Sequence, residues 1–295
     1  MIKGLAITPP VLGRITIGRV VEKNGKRLPE KDDQFTITTQ IQTKDGWLKH
    51  PLDEELRKES ENGKLRTIPV RMLFNDPDLN FRAEYSLFDR RTGRPQCVGD
   101  GETCRRVNGE GVETLPCPGP DTCELGKNGL CKPYGRLNVR IGDEDELGTF
   151  IFRTTGFNSI RTLIARLRYY QAVSGDLLAC MPLTLRLRGK STPQSHRTPI
   201  YYVDLTLRDG TTLTEAIAHA REVHDRREAQ DYDQAALDSA ANTGLKNGVF
   251  EHDLDEGNAV TEEFFAPDPA DSTSKSHPVK ELGPDTLKAQ LSPRT

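Results

Sequence analysis

No apolar run in this chain approaches the roughly 20 residues that a helical membrane span requires. Nor does the start read as a secretory signal: Met1–Val11 is short and is broken by Pro9 and Pro10. Both absences point to a cytoplasmic protein that keeps away from membranes. Charge of one sign is also missing, because 41 Lys and Arg against 44 Asp and Glu leave a net of −3. Aromatic residues make up 6% and hydrophobic residues 35% of 295 positions, enough for one sizeable domain or two small ones with a substantial polar part. Signatures of catalysis are lacking as well. The six histidines are scattered, and His219 and His224 are five apart, so they do not share a helix face as a metal pair would. No Ser-His-Asp or Cys-His arrangement suggests itself. Gly189-Lys190-Ser191-Thr192 looks like the end of a phosphate loop, but the motif's first glycine would fall on Thr184, and Pro193 stands where a helix should begin. Asp78 and Glu84 lack the nearby lysine of a nuclease carboxylate set. Asp100 and Glu102 read as a plain acidic turn.

Cysteine is nearly absent too, except in one place. Five of the six cysteines, Cys97, Cys104, Cys117, Cys123 and Cys131, fall within 35 residues rich in Gly, Pro and charge. Such a stretch buries little apolar surface, and a bound ion held by thiolates can replace the missing core. In a reducing compartment, clustered thiols favour metal over disulfide. No CxxC pair is present, so this is no standard finger or ribbon. Thiols do sit on rigid turns, at Pro116-Cys117-Pro118-Gly119-Pro120 and Leu130-Cys131-Lys132-Pro133. A tetrahedral zinc site needs four ligands, and Cys97, Cys117, Cys123 and Cys131 are the chosen set, with Cys104 as substitute or spare. Four thiolates leave no open position for water, so the role expected of zinc is structural. The alternative is a surface loop of free thiols or adventitious disulfides. Cys180 reads as a small buried hydrophobe.

The chain divides into four stretches. Residues 1–96 read as a β-rich part, with strands at Arg14–Val21 and Gln34–Gln42, a short helix at Asp53–Ser60, and a hairpin of Thr67–Phe74 with Asn80–Phe88. Residues 97–133 are the cysteine-rich segment. Residues 134–232 carry the order β-α-β-β-α: a strand at Gly148–Thr154, a helix at Asn158–Val173, strands at Pro182–Arg188 and Ile200–Leu207, and a helix at Thr211–Gln230. The expected class is α+β: an antiparallel sheet with a ferredoxin-like β-α-β-β-α portion and a cysteine-rich zinc-binding insertion. Residues 233–295 form an acidic tail, most of it without order from 235 onward. From Asp231 to Thr295 there are 13 acidic and 5 basic residues, a net of −8, which leaves +5 on the preceding body.

Two surfaces suggest partners. In the helix, Arg161, Arg166 and Arg168 have no acidic residue beside them, and Tyr169 adjoins; Arg186, Arg188 and Lys190 follow on the next strand. Unpaired arginines with tyrosine suit phosphate contact and stacking on DNA or RNA. An ordinary solvated helix face is the other reading. In the tail, Glu262-Glu263-Phe264-Phe265 resembles a docking motif for a basic apolar groove on a partner, or else a last element packed on the body.

At Cys97-Val-Gly-Asp-Gly, Leu115-Pro-Cys-Pro-Gly-Pro-Asp-Thr-Cys123, Cys131-Lys-Pro-Tyr-Gly-Arg-Leu-Asn and Gly148-Thr-Phe-Ile-Phe-Arg-Thr-Thr155, the chain resembles the recombination directionality factor-like proteins of bacteriophages and integrative elements. The resemblance covers about residues 65–210. It implies a DNA-recombination accessory without catalytic residues, which binds a recombinase (a large serine integrase) on DNA and turns insertion into excision. It carries zinc ligands onto Cys97, Cys117, Cys123 and Cys131, and places neither Cys104 nor the acidic tail. The alternative function is a nucleic-acid-binding subunit of a phage or mobile-element ribonucleoprotein or defence assembly.

Overall fold

Strand β9 (Cys131–Ile141) is the spine of the protein, and its central residues are buried almost without alternation, as in a strand covered on both faces. The computed structural model describes residues 9–247, apart from 24–25, 45, 61, 110, 144–146 and 192–198, together with Phe264. Along β9 three strands pair antiparallel: β10 (Thr149–Thr154) at Gly135–Val139, β5 (Phe81–Phe88) at Cys131–Leu137, and β4 (Thr67–Arg71) at Arg140 and Ile141. Each leads outward. Beyond β10 come β1 (Val11–Lys23), β2 (Lys26–Thr43) and β3 (Gly46–Lys49); beyond β5 come β6 (Pro95–Gly99), β7 (Thr103–Asn108) and β8 (Gly111–Pro116). Beyond β4 come β11 (Leu183–Lys190) and β12 (Ile200–Leu207). The result is a twelve-stranded sheet in which β1 and β10 run parallel and the other described ladders are antiparallel.

Five helices are described, and local chemistry sets their ends. Helix α3 (Phe157–Ser174) buries Ile160, Leu163 and Leu167 against the sheet and stops at Gly175, whose φ of 68° needs no Cβ penalty. Ile164 is 38% exposed. The Ser159 hydroxyl accepts from the Val203 amide at 3.0 Å and pins α3 to β12. Gly135 lies beneath, where an added Cβ would meet the Phe81 ring at 2.6 Å. Helix α4 (Leu213–Glu228) opens on a capping box of Thr212 and Glu215, a pattern that satisfies two orphan amides. Its Ala216, Ala220 and Val223 are buried. Helix α1 (Pro51–Glu59) is docked by Asp53, which is fully buried, accepts from the Ile37 amide at 2.9 Å and pairs with Arg57 at 2.7 Å. No described helix is long and apolar enough to cross a membrane.

Three expectations change. The first is the hairpin. Strands β4 and β5 do not pair with each other but both hydrogen-bond to β9. The turn residues Asn75-Asp76-Pro77-Asp78 instead start a short helix α2 (Pro77–Asn80), capped by Asp76. Asn80 is fully buried and serves four backbone groups. Its Oδ1 accepts from the Leu73 and Phe74 amides, both at 3.1 Å, and its Nδ2 donates to the Phe74 and Asp76 carbonyls at 2.7 and 2.9 Å. Asn80→Ala strands these groups and should lower the unfolding free energy by about 3 kcal/mol, measured as a shift in urea midpoint at unchanged slope.

The second is the ferredoxin-like portion. The five elements form in the expected order, but β10 joins β9 and β1 while β11 joins β4 and β12. β11 pairs with β4 across Ile68 and Val70, both buried.

The third concerns only the start of the tail; residues 248–295, on which most of the expected disorder falls, lie outside the described residues apart from Phe264. A helix α5 (Gln234–Asn247) follows α4, with Leu237, Ala241 and Leu245 packed on Leu73, Phe74 and Leu79. Asp238 accepts from the Asn75 amide at 3.0 Å, and Gln234 donates to the Leu73 carbonyl at 3.0 Å. The apolar spacing of this helix is diluted by Ala, Asn and Ser, which hid it.

Candidate metal centre

The cysteine segment is not an insertion set apart from the sheet. Strands β6, β7 and β8 continue the main sheet as a meander beyond β5. Outward along the meander burial falls away, and β8 is almost entirely exposed. Packing cannot hold these strands, and tight turns do part of the work. Asp100 turns the chain from β6 to β7 by accepting from the Glu102 and Thr103 amides, both at 2.8 Å, and these bonds lower its pKa. This is the plain turn expected of it. Gly119, at φ 81°, lets the Cys123 amide reach its carbonyl at 3.0 Å, and the Cys117 amide donates to the Glu102 carbonyl at 2.8 Å.

These turns bring all five cysteines together. Leu87 on β5 stands opposite both Cys97 on β6 and Cys131 on β9, so the two thiols flank it on one face of the sheet. Cys104 on β7 pairs in register with Gly99. A Cβ at Gly99 would meet the Cys104 Cβ at 2.7 Å, the Thr103 carbonyl oxygen at 2.8 Å and the Cys117 Sγ at 2.9 Å. Cys123 lies at the start of a 3-10 turn, Glu124–Gly129, with the Arg106 guanidinium 4.0 Å from its sulfur. The same Arg106 is hydrogen-bonded to Cys97, which raises its pKa. All six cysteines are free, with no disulfide among them.

Burial and mutual proximity disfavour the thiolate form in two of these cysteines. Burial, then the charges of Cys97, Cys117, Cys123 and Cys104, push the Cys131 thiol up to about 12. Burial and the Cys97 hydrogen bond push Cys104 up to about 11. Thiolates crowded this closely repel one another, and a divalent ion reverses the sign of that effect. Cys104 is 3% exposed, its Sγ 3.8 Å from the Pro116 carbonyl. The five cysteines share one neighbourhood, but no three of their sulfurs lie within 4.8 Å of one another. Among the described residues, the trio of ligand-type groups within 4.8 Å of one another is instead His224, Asp225 and Glu228, two of them exposed on α4.

The arginines expected to be unpaired are mostly paired. Asp204, 2% exposed, takes Arg166 at 3.0 Å and Arg188 at 2.6 Å; Arg168 meets Asp78 at 3.1 Å, and Arg186 pairs with Asp209. Lys190 donates to Asn158 at 2.8 Å. Only long-range folding makes these pairs, since Asp204 and Asp78 are far away in sequence. Arg161 and Tyr169 are exposed, the latter at 64%. Glu84 is held between Arg82 and Arg136. Cys180 is buried, as expected, with Arg71 donating to its carbonyl at 2.5 Å.

Phe264, expected to be exposed for a partner, is instead 1% exposed against Phe88 and Tyr134 of its own chain. The packed-element alternative is the one this residue follows. Phe265 lies outside the described residues. The receiving aromatics were legible as residues, but nothing in sequence joins them to position 264.

The scaffold is a mixed α+β protein built on a large, mostly antiparallel sheet, with five of its six cysteines on the meander from β6 to β9. A family model described as Gp3-like, recombination directionality factor-like, matches residues 12–208, and the chain belongs to that family. No curated protein and no solved structure matches it. The family, generally non-catalytic, points to an accessory role in DNA recombination and to contact with recombination machinery.

Proposed function

We propose that this chain is a non-catalytic recombination accessory that binds a recombinase, a large serine integrase, or its complex with DNA, and controls the direction of the reaction. The observation that carries the reading is the family match, which spans the sheet and the whole cysteine cluster. Zinc held by Cys97, Cys117, Cys123 and Cys131 would cross-link β6, the turn after β8, the 3-10 turn and β9, a purely structural contribution. The protein's own part is to present a stiff, shaped surface. A factor that binds one recombinase conformation more tightly than another by a few kcal/mol changes which synaptic complex dominates. No active site is needed for that.

The test is a reconstituted recombination reaction with the serine recombinase of the same genetic element. Adding the chain should favour excision over integration, while the chain alone should neither cut nor join DNA. An unchanged outcome, or cleavage by the chain alone, would contradict the reading. The nucleic-acid-subunit alternative is weakened by the pairing of Arg166, Arg168, Arg186 and Arg188 with carboxylates. Tight binding of bare DNA or RNA, lost steeply with salt, would restore it.

A further inference from the structure

We propose that the cleft formed by Phe88, Tyr134 and Lys132 is a docking site for an acidic, aromatic peptide segment of the protein partner, and that the chain's own Phe264 occupies it in cis until that partner displaces it. The identity of the partner rests on the reading above; the competition does not.

Helix α5 ends at Asn247, and Phe264 stands 17 positions further on, yet its ring is buried. It packs edge-on, 4.7 Å from the Phe88 ring and 5.7 Å from the Tyr134 ring, centroid to centroid. Lys132 Nζ lies 5.8 Å from the Phe264 centroid, and Arg136 lies 6.0 Å from that of Tyr134. The two aromatic hosts and the two cations all come from β5 and β9, in the middle of the sheet. The cluster is small and separate from the main core, so removing Phe264 would uncover an aromatic patch beside Lys132, with the charge of Arg136 shared by Glu84. Such a patch calls for an occupant. The chemistry of the natural occupant is written in the tail, where Glu262 and Glu263 precede Phe264 within a segment of net −8.

The position also suits control. Along β9 the side chains of Cys131 and Tyr134 point to opposite faces, as do those of Leu87 and Phe88 on β5. The cysteine cluster therefore stiffens one face while the other receives the peptide. A tethered single phenylalanine is a modest plug. It acts at an effective concentration near the millimolar range, so it excludes weak ligands and yields to a partner with additional contacts.

The experiment uses the full chain and a fluorescent peptide of its residues 258–270, with no recombinase present, so it succeeds or fails independently of the recombination reading. Phe264→Ala should bind the peptide at least about tenfold more tightly than the wild type, because the internal competitor is gone. Adding Lys132→Glu to that variant should lose most of the gain. Equal affinity for the two chains, or no binding to Phe264→Ala up to about 1 mM, would overturn the proposal. A second measurement needs no substitution: with fluorine-labelled phenylalanine in the wild-type chain, saturating peptide should move the Phe264 resonance to that of a solvent-exposed tail. An unmoved resonance would likewise overturn it.

Discussion

Cys123→Ser is expected to strip the bound metal and loosen residues 97–131 while leaving the helix-covered core folded. The outer strands have almost no apolar surface to fall back on: β8 is exposed along nearly its whole length, and β7 buries only Cys104. Structural zinc supplies roughly 10 kcal/mol or more of coupled folding energy in small isolated domains. Here β6 is also laced to β5, so the loss should be confined to the meander instead of spreading through the sheet. Elemental analysis should fall from one ion per chain to none, and a protease should cut between β6 and β9 under conditions where the wild type resists. An unchanged metal content would remove Cys123 from the ligand set.

Gly99→Ala should damage the same cluster without touching a sulfur. An added methyl would lie 2.7 Å from the Cys104 Cβ, 2.8 Å from a backbone oxygen and 2.9 Å from the Cys117 Sγ. Two of these neighbours carry thiols, and the third belongs to β7 itself, so a flexible side-chain tip cannot absorb the clash. Overpacking of this kind costs about 1–3 kcal/mol, and misplacing groups around a metal typically weakens it about 10–100-fold. A competition titration with a chromogenic chelator reads the affinity directly. Wild-type affinity in Gly99→Ala would mean that the thiols do not converge as the sheet register implies.

The cysteine cluster was legible in sequence because its composition is local: five thiols within 35 residues cannot be diluted by folding. Most elements were legible for the same reason. Ile160, Leu163 and Leu167 mark α3. What could not be read was partnership over distance. Strand periodicity gives no hint that β11 chooses β4 over β10, since both edges are apolar. The arginines of α3 looked unpaired because Asp204 and Asp78 come to them only through tertiary contact. Phe264 looked exposed because its acidic neighbours resemble a free tail, whereas its hosts Phe88 and Tyr134 lie more than a hundred residues earlier. The close approach at Gly99 could be read only once the strands were aligned.

Native mass spectrometry of the undenatured chain is the most direct measurement of whether a thiol-held ion stands in for the missing core. One zinc per folded chain is predicted, with the ion retained until the protein is acidified or Cys97, Cys117, Cys123 or Cys131 is replaced. A bare polypeptide mass, from protein whose β6–β8 strands remain protease-resistant, would contradict it.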